Sequence, residues 1–385
     1  MKDKIFVITG SNADFGILRP LCKRIYNSPN FQLDLIVTGS HLSEIHGYTI
    51  SEIKHDFPDI IKEVEIVLAN SNTKSIVKSC SLALLGISEL LENLNPNLVI
   101  LLGDRYEIMS AAMACMLHGI PIAHIHGGEI SEGCADDKMR HCITKLSNIH
   151  FVSCEEHKKR VIQLGESPSR VFNFGALGLD NLVGLKRIAK KEILKRLSIQ
   201  NNNSKLLIAT IHPETVHQGN SKQLALNLCA VLSQNKDLTI IWTLPNADEN
   251  SSDMRRIIIE QTKGFDNIFL FESLGSELFL NCLNISDGII GNSSSGIIEA
   301  PFLKKGTINI GIRQKGRVKS SSIITCSNDI DSIQNAINKL FSDDFKSKLP
   351  STKSLYGEGG TSKKIMEVLN KKDLYFDSDK KFYDL

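Results

Sequence analysis

The feature that most constrains the fold of this chain is a series of short apolar runs that alternate with helical segments. In the first half the runs lie at residues 4–9, 33–37, 98–102, 122–125 and 150–152. They are continuously apolar rather than alternating, which is typical of parallel strands covered by helices on both faces. We therefore expect residues 1–182 to form a doubly wound α/β domain.

A second series of apolar runs follows the polar stretch at residues 186–205. Its runs lie at 206–211, 238–242, 268–271, 288–290 and 307–310. The asparagines at 201–203 predict a loop at its entrance. We expect residues 183–360 to form a second α/β domain, with the segment 361–385 packing back on the first. Two such domains facing each other would bind a ligand in the cleft between them, at the carboxyl ends of the strands.

The charge balance and the cysteine pattern exclude several classes of protein. Among 385 residues, 45 Lys and Arg oppose 43 Asp and Glu, so no excess of cations is available for a nucleic-acid backbone. No apolar stretch approaches the roughly 18 residues of a membrane helix, and the run at residues 5–8 is too short for a signal peptide. The nine cysteines show neither CxxC nor paired zinc-ligand spacing. The sequence therefore predicts a cytoplasmic protein with reduced thiols and with no nucleic-acid or membrane partner.

The segment Gly291-Asn292-Ser293-Ser294-Ser295-Gly296 follows a predicted strand and precedes a helical run at residues 297–303. Such a turn directs backbone N–H groups, serine hydroxyls and the positive end of a helix at an anion, and a diphosphate would fit. An ordinary serine N-cap explains the same residues equally well. Glu299 either complements the helix dipole or accepts hydrogen bonds from ribose hydroxyls.

Three further positions follow predicted strands, at the edge where doubly wound folds bind ligands. Gly103-Asp104-Arg105 is either a ligand-facing pair or a surface turn with a local ion pair. His212, in His212-Pro213-Glu214-Thr215, ends the first strand of the second domain, and Arg313 follows the strand at 307–310. A single His or Arg in a loop usually has no role beyond facing solvent. Because these two lie at strand ends, the sequence favours a functional role and a plain surface role about equally.

The segment His124-Ile125-His126-Gly127-Gly128-Glu129 ends another predicted strand. A period of two places His124 and His126 on one strand face, but no third ligand follows at a typical spacing, so we expect no metal. On the helix predicted next, Asp136 and Arg140 are four residues apart, as are Asp137 and His141. These are either solvent-facing pairs, or a carboxylate and an imidazole placed for proton transfer.

Six segments, in order over nearly the whole chain, resemble the hydrolysing UDP-N-acetylglucosamine 2-epimerases of bacterial sialic acid synthesis. They lie at residues 10–16, 103–105, 126–129, 140–147, 212–215 and 291–296. The resemblance implies the GT-B architecture, in which two Rossmann-like doubly wound domains face each other across a cleft that holds UDP. It also implies formation of UDP and N-acetylmannosamine without a metal or a nicotinamide cofactor. We expect a homo-oligomer, either a dimer or a tetramer.

The reaction that the resemblance implies is anti elimination of UDP to give 2-acetamidoglucal, followed by addition of water. The hydrogen on the second sugar carbon is barely acidic, so a positioned carboxylate must remove it while dipoles and cations stabilise the leaving diphosphate. By position, the resemblance assigns catalysis to Asp104, Asp136 and His212. It assigns binding of the UDP-sugar to Arg105, Ser293, Ser294, Glu299, Arg313, Asp180 and Asn12.

Two positions depart from the pattern of the family. Asn12 stands where members carry an arginine in the first turn, so one cationic contact to the diphosphate is missing. His126 stands where animal and some bacterial relatives have a catalytic glutamate. An imidazole can also transfer protons near neutral pH, and we count His126 among the candidate catalytic residues.

Other activities are compatible with parts of the same pattern. A hydrolysing 2-epimerase of a UDP-sugar with a second acetamido group at the fourth carbon, on the route to legionaminic acid, would carry the same motifs. The non-hydrolysing 2-epimerases resemble Gly-Gly-x-Gln-Glu-Glu at the phosphate turn, unlike the three serines here. A GT-B glycosyltransferase and a non-catalytic UDP-sugar binding protein are further alternatives, and the presence of Asp104 and Asp136 argues against the last.

Overall fold

The computed structural model describes residues 2–44, 48–68, 72–132, 135–200, 205–213, 218–245, 251–371 and 380–385. They form two compact units. The first unit comprises Met1–Asp180 together with Gly359–Leu385, and the second comprises Asn181–Glu358. None of the helices in the described ranges combines the length and apolar character that crossing a bilayer requires.

The first unit is built on a single sheet. Its strands are β1 (Asp3–Thr9), β2 (Phe31–Thr38), β3 (Ile61–Val64), β4 (Leu98–Leu102), β5 (Ile122–Ile125), β6 (Ile149–Val152) and β7 (Val171–Asn173). They lie in the order β3-β2-β1-β4-β5-β6-β7, and every neighbouring pair is parallel. The strand order reverses between β1 and β4, and doubly wound folds bind ligands beside the carboxyl ends of such a pair.

Helices cover both faces of this sheet. They are α1 (Asn12–Tyr26), α2 (Ile50–Asp56), α3 (Thr73–Leu94), α4 (Tyr106–Leu117), α5 (Ala135–Leu146), α6 (Glu155–Gln163) and, at the boundary between the units, α7 (Asp180–Val183). Along β1, Ile5 and Val7 belong to one apolar core while Phe6 and Ile8 belong to another. This two-sided burial explains why the strands are continuously apolar in sequence.

The second unit repeats the plan. Its strands are β8 (Lys205–Thr210), β9 (Leu238–Thr243), β10 (Ile268–Phe271), β11 (Gly288–Gly291), β12 (Gly306–Ile310) and β13 (Ile323–Cys326). They form a parallel sheet in the order β10-β9-β8-β11-β12-β13. Its helices are α8 (Lys190–Arg196), α9 (Gln218–Gln234), α10 (Ser252–Thr262), α11 (Gly275–Ile285), α12 (Glu299–Phe302), α13 (Ile330–Leu340) and α14 (Asp343–Lys348).

These two parallel-sheet α/β units confirm the predicted fold class, with differences at the edges. The predicted strands agree with the observed ones to within two residues at each end. The sequence pattern misses β3, β7 and β13, which are edge strands of their sheets and carry polar residues. The polar stretch at 186–205 contains α8, held by the fully buried Ile193. The loop predicted at 201–203 lies outside the described residues.

The last helix, α15 (Thr361–Leu369), belongs to the first unit and packs against α1. Its N-terminal N–H groups are capped by a carboxylate from far back in the chain. Asp180 Oδ1 accepts from Thr361 N–H and Oδ2 accepts from Ser362 N–H, both at 2.8 Å. The apolar face of α15 completes the core of the first sheet with Ile365 and Leu369.

Candidate active site

Several predicted site residues follow the adjacent strands β1, β4 and β5 of the first sheet. Asp104 and Arg105 come directly after β4, and His126 comes directly after β5. Asn12 and Asp14 lie in the first turn of α1, just after β1, where Asn12 is exposed. The carboxyl ends of these strands share one edge of the sheet, which is the edge that the sequence pattern predicts.

A buried carboxylate beneath the first turn holds Arg105. Glu107, in α4, has no exposed surface, and its Oε1 accepts a hydrogen bond from Arg105 Nε at 2.5 Å. A Cβ on Gly10 would lie 2.1 Å from that oxygen, and one on Gly39 would lie 3.2 Å from it, so both glycines make room for the carboxylate. The charge of Glu107 raises the pKa of Arg105 above its already high value. Arg105 is therefore a fixed, permanent cation at the end of β4.

Asp14 is a carboxyl group of this edge to which the sequence analysis assigns no role. Its Oδ2 accepts a hydrogen bond from Ser11 Oγ at 2.7 Å. Burial raises the pKa of Asp14 to about 6, although the positive charge of Arg105 lowers it. A carboxyl group with such a pKa exchanges protons in the range where most enzymes work.

Arg140 is the second cation of this edge, and it is only 2% exposed. Its guanidinium donates to a carboxylate oxygen of Asp104, to Asp137 Oδ1 at 3.1 Å and to the backbone oxygen of Glu129 at 2.8 Å. Of the two alternatives for Asp136 and Arg140, a solvent-facing ion pair does not describe Arg140, because its guanidinium turns inward to the loop that follows β4. The predicted partner of His141 does lie near it, with Asp137 Oδ2 at 3.7 Å from His141 Nε2.

Asp136 lies exposed in the first turn of α5. Partial shielding from solvent, followed by the negative charge of Asp104, raises its pKa, while Arg105 and Arg140 lower it. Asp136 therefore responds to the charge of Asp104 and to that of Arg140, the arginine that is ion-paired with Asp104. Such a group of coupled carboxyls and cations is an arrangement that can hold and release protons.

The two histidines around the end of β5 have different surroundings, so the predicted shared strand face is wrong. The strand ends at Ile125, and His126 adopts a φ of +66°, which breaks the alternation of side chains. His124 is fully buried and donates from Nε2 to the backbone oxygen of Gly103 at 2.8 Å. Burial lowers its pKa to about 3, which keeps it neutral. Within the described ranges, no three His, Cys, Asp or Glu residues are grouped so as to hold a metal ion.

In the second unit, Asn292 links the loops after three adjacent strands. Its Oδ1 accepts from His212 N–H at 2.7 Å, and its Nδ2 donates to the backbone oxygen of His212 at 2.8 Å. The backbone oxygen of Asn292 accepts from Arg313 Nη1 at 3.0 Å and from Gln314 Nε2 at 2.8 Å. His212, the serine turn and Arg313 therefore form one cluster at the carboxyl ends of β8, β11 and β12. Sequence reasoning finds His212 and Arg313 but not the buried amide that joins them.

The imidazole of His212 is neutral at physiological pH. Burial, with a smaller effect from the positive charge of Arg313, lowers its pKa to about 3. A neutral imidazole can accept a proton or a hydrogen bond, but it does not add a positive charge to the cluster. The last two residues of its motif, Glu214 and Thr215, lie outside the described residues.

The serine turn differs from its prediction in the helix that follows it. Ser293 Oγ accepts from Ser295 N–H at 3.3 Å and caps a 3₁₀ turn at Ser294–Gly296. The regular helix after it is only Glu299–Phe302, rather than the predicted run at 297–303, and it contains Pro301. The dipole of such a short helix is small. An anion at this turn would depend on the serine hydroxyls, the backbone N–H groups and Arg313.

Glu299 carries a carboxyl group with an unusual environment. Burial raises its pKa to about 7, although Arg317 lowers it. Its Oε2 is buried and has no hydrogen-bond partner among the described residues. Leaving such an atom without a partner is costly, and a ligand hydroxyl would remove that cost.

Asp180, which the resemblance assigns to substrate binding, has both carboxylate oxygens bonded at the N-terminus of α15. These bonds give it a structural role in joining the end of the chain to the first unit. Its contact with a substrate stays a prediction, as does that of Asn12.

Comparisons with known proteins identify relatives along the whole chain. The family model described as UDP-N-acetylglucosamine 2-epimerase matches residues 23–370. The hydrolysing GDP/UDP-N,N'-diacetylbacillosamine 2-epimerase of Campylobacter jejuni is 40% identical over 90% of this chain and 89% of that protein. The polysialic acid biosynthesis protein P7 of Escherichia coli is 40% identical over 92% of this chain and 90% of that protein.

Solved structures share the fold. The crystal structure of UDP-GlcNAc 2-epimerase from Neisseria meningitidis bound to UDP-GlcNAc superposes with a TM-score of 0.81 at 19% identity, covering 96% of this chain and all of that one. With the two parallel sheets, the strand-end clusters and a family match over most of its length, the chain belongs to the UDP-N-acetylglucosamine 2-epimerase family.

Proposed function

We propose that this protein is a hydrolysing 2-epimerase that converts UDP-N-acetylglucosamine and water to UDP and N-acetylmannosamine. The observation that carries the proposal is the cluster of carboxyls and cations at the edge formed by β1, β4 and β5. Proton transfer at a sugar carbon needs carboxyl groups that can gain and lose a proton, and the pKa values of Asp14 and Asp136 are raised. A departing diphosphate needs nearby positive charge, which Arg105 supplies from a fixed position.

The proposed reaction has two steps. In the first, a carboxylate takes the proton from the second sugar carbon, a double bond forms to the anomeric carbon, and the bond to the diphosphate breaks, so that UDP leaves with the electron pair. In the second, water adds its oxygen to the anomeric carbon and a proton returns to the second carbon from the opposite face. We assign Asp104 and Asp136 to these transfers, with His126 and His212 as further acid–base groups. Both steps are redox-neutral.

We assign binding of the UDP part to the cluster of the second unit. Ser293, Ser294 and Arg313 would bind the phosphates, and Glu299 would bind the ribose. The buried Oε2 of Glu299, which has no partner among the described residues, supports this assignment because ribose offers hydroxyl donors. Arg105 stays a separate candidate for binding the UDP-sugar.

A second substrate is favoured by a specific observation. The Campylobacter relative at 40% identity is named for UDP-N,N'-diacetylbacillosamine, a sugar with a second acetamido group. The proton transfers and the loss of UDP would be unchanged with that sugar. Only groups near the fourth sugar carbon would differ.

We also propose that the working form is a cytoplasmic homo-oligomer. Two adjacent helices expose large apolar side chains. In α3, Leu82 is 40% exposed and Leu85 60%, and in α4, Met116 is 46% exposed and Leu117 70%. A second copy would cover these side chains. The eight described cysteines are all unpaired, as is usual in a reducing compartment. Sedimentation velocity would test self-association, and a protein that stays monomeric at micromolar concentration would contradict it.

The experiment that tests the function follows both sugars by proton NMR. The purified protein is incubated with UDP-N-acetylglucosamine or with UDP-N,N'-diacetylbacillosamine, in buffer containing EDTA. We expect free UDP and the sugar inverted at the second carbon, and the larger kcat/KM identifies the substrate. Binding of UDP without turnover of either sugar would instead support the non-catalytic alternative.

Isotopes test the two steps separately. Product formed in heavy water should carry deuterium at the second carbon, because the returning proton comes from solvent. In oxygen-18 water the label should enter the anomeric hydroxyl and not the UDP. Label in the UDP would mean attack at phosphorus and would exclude the elimination.

A further inference from the structure

The turn that follows β5 folds His126 back onto Glu129. His126 has a φ of +66° and Gly128 a φ of +77°. A Cβ on Gly128 would lie 2.5 Å from the backbone oxygen of His157, so α6 packs directly against the turn. The guanidinium of Arg160, also in α6, donates to the backbone oxygen of Gly128. Contacts with α6 therefore hold the turn in one conformation.

Within this turn, the imidazole and the carboxylate form a pair removed from solvent. His126 Nδ1 lies 3.4 Å from Glu129 Oε1, and the two side chains are 12% and 6% exposed. On the other side of the ring, the backbone N–H of Leu177 donates to His126 Nε2 at 3.4 Å. A backbone N–H can donate only to a nitrogen that carries a lone pair. The proton of the neutral ring therefore sits on Nδ1, facing Glu129.

Other side chains fix the carboxylate in turn. Ser153 Oγ donates to Glu129 Oε1 at 3.2 Å, and the same hydroxyl lies 2.9 Å from His157 Nδ1. Counted as whole residues, Glu129, Ser153 and His157 are each at most 5% exposed. Arg140 donates a hydrogen bond to the backbone oxygen of Glu129 and so anchors the backbone there. A buried carboxylate held in this way orients the imidazole that it accepts from, in the manner of general acid–base sites.

We propose that Glu129 is a positioning residue for His126: it accepts the Nδ1 proton, fixes the tautomer that leaves the lone pair on Nε2, and so makes Nε2 the nitrogen that transfers protons. This inference rests on the proposed 2-epimerase function. Nε2 takes one proton from the sugar or its water, and the Glu129 carboxylate stabilises the resulting imidazolium. The imidazolium then returns one proton, so the pair ends each cycle as it began. The long hydrogen bond from Leu177 is the contact that a reacting group replaces.

Among the described residues, charged and titratable groups of three elements lie around the pair. They are Arg140 of α5, His124 of β5, and His157 and Arg160 of α6. Two of them are permanent cations, and both bond to backbone oxygens of the turn. Glu129 is therefore the negative group whose removal would most directly lower the proton affinity of His126.

The first test does not depend on activity. In protein labelled with ¹⁵N-histidine, the signals of His126 are assigned by their loss in His126→Gln. We expect the Nδ1–H tautomer in the wild-type protein, and a larger share of the Nε2–H tautomer in Glu129→Gln, whose amide can donate to Nδ1. A wild-type spectrum with the proton on Nε2 would overturn the proposal.

The second test is a double-mutant cycle on turnover. We expect Glu129→Gln to lower kcat about 10²-fold with little change in KM, and to move the acid limb of the pH profile of kcat to lower pH. In the His126→Gln background the same substitution should change kcat by less than about threefold. Glu155→Gln, an exposed change at the start of α6, is the matched control and should leave both constants unchanged.

The outcomes separate this proposal from the proposed function. If Glu129→Gln costs the same factor with and without His126, Glu129 acts through the fold, and the proposal is overturned while the 2-epimerase activity stands. If the wild-type protein turns over neither sugar, the proposed function fails, and the tautomer measurement still decides whether Glu129 fixes His126.

Discussion

At the scale of single residues, the two carboxyls assigned to proton transfer have different partners. Asp104 is ion-paired with Arg140 and its side chain is 23% exposed. Asp136 is exposed on α5, and shielding by neighbouring groups and the charge of Asp104 raise its pKa. A raised pKa favours uptake of a proton by Asp136. Asp104 differs in being held in place by its ion pair with a buried arginine.

Substituting either carboxyl group tests its assignment to proton transfer. We expect Asp104→Asn and Asp136→Asn each to lower kcat by roughly 10²- to 10⁴-fold, because the amide keeps the size of the side chain but cannot take a proton. Affinity for UDP, measured by calorimetry, should change much less. The matched control is Asp331→Asn, in the first turn of α13. Near-normal turnover in either site variant would show that the residue has only a structural role.

Asn12 allows a gain of affinity to be tested. An arginine in the first turn of α1 would add charge-assisted hydrogen bonds, worth about 1.5–3 kcal/mol each, if that turn faces the diphosphate. We expect Asn12→Arg to tighten UDP binding by about tenfold or more, with the gain shrinking as salt is added. The control is Asn27→Arg, at the other end of the same helix. Unchanged affinity would mean that the turn does not reach the phosphates or that Arg105 already fills the position.

Sequence patterns predict residues whose role depends on their position relative to a strand or helix. They miss residues whose role depends on packing between distant parts of the chain. Asp104 and Arg105 are predictable because they follow a strand. Glu107 is not, because its role depends on the space that glycines at distant positions leave for it. Arg140 shows the same limit. Helical spacing points to Asp136, but its guanidinium turns inward to a loop that lies 36 residues earlier in the chain.

At the scale of elements, the turn after β1 and the start of α4 fit together because Gly10 has no side chain. Gly10→Ala would place a methyl group 2.1 Å from Glu107 Oε1 and force the carboxylate away from Arg105. We expect a loss of roughly 1–3 kcal/mol in stability, together with a raised KM for the UDP-sugar. Unfolding in urea and steady-state kinetics measure the two effects.

A neighbouring glycine provides the control for this substitution. Gly16 lies inside α1, and a Cβ there would meet no atom within 4 Å. Gly16→Ala should therefore stabilise the protein slightly, by about 0.5–1 kcal/mol, because alanine is the better helix former. Adding Glu107→Ala to Gly10→Ala should restore part of the lost stability. Equal behaviour of Gly10→Ala and Gly16→Ala would refute the proposed fit.

The serine turn shows how far an element can be predicted from a motif. The position of the turn after a buried strand is predictable, because an apolar run indicates the strand and the glycines indicate the turn. Its helix is not, because residues 297–303 have a helical apolar pattern but contain Pro301, and only Glu299–Phe302 are regular. Gly291 has a φ of +137°, and a Cβ there would lie 1.9 Å from the backbone oxygen of Thr210. That close approach sets the turn, and no local pattern indicates it.

At the scale of the whole molecule, the end of the chain is fastened to the first unit by a buried carboxylate. Glu166, 2% exposed, accepts from Lys145 Nζ at 2.7 Å and His150 Nε2 at 2.9 Å, and pairs with Lys380 Nζ at 2.8 Å. Burial alone would raise the pKa of Glu166, but the hydrogen bonds to these three groups hold it at about 2. In the unfolded chain the pKa of a glutamate is about 4.3.

This depressed pKa predicts how stability responds to acid. The stabilisation is present in full above about pH 4.5 and is lost as the pH falls towards 2, where the folded form also takes up the proton. A shift of about two units corresponds to about 3 kcal/mol. We expect Glu166→Gln to lower the thermal midpoint by several degrees at pH 7, and the difference from wild type to shrink between pH 4.5 and 2. Glu192→Gln, in an exposed pair with Arg196, is the control and should change little at any pH. A constant difference across that range would contradict the assignment.

The capping of α15 by Asp180 also bears on how the protein is made. Thr361 follows its partner Asp180 by 181 positions in the chain, and all of these residues must leave the ribosome before the bond can form. At about 5–20 residues per second, the first sheet would wait roughly 10–35 s for its last helix while the second unit is being synthesised. A nascent chain therefore exposes the apolar groove for α15 throughout the synthesis of the second unit. Chaperones that recognise exposed apolar surface would bind this chain once the first sheet has formed, and release it only after α15 has been made.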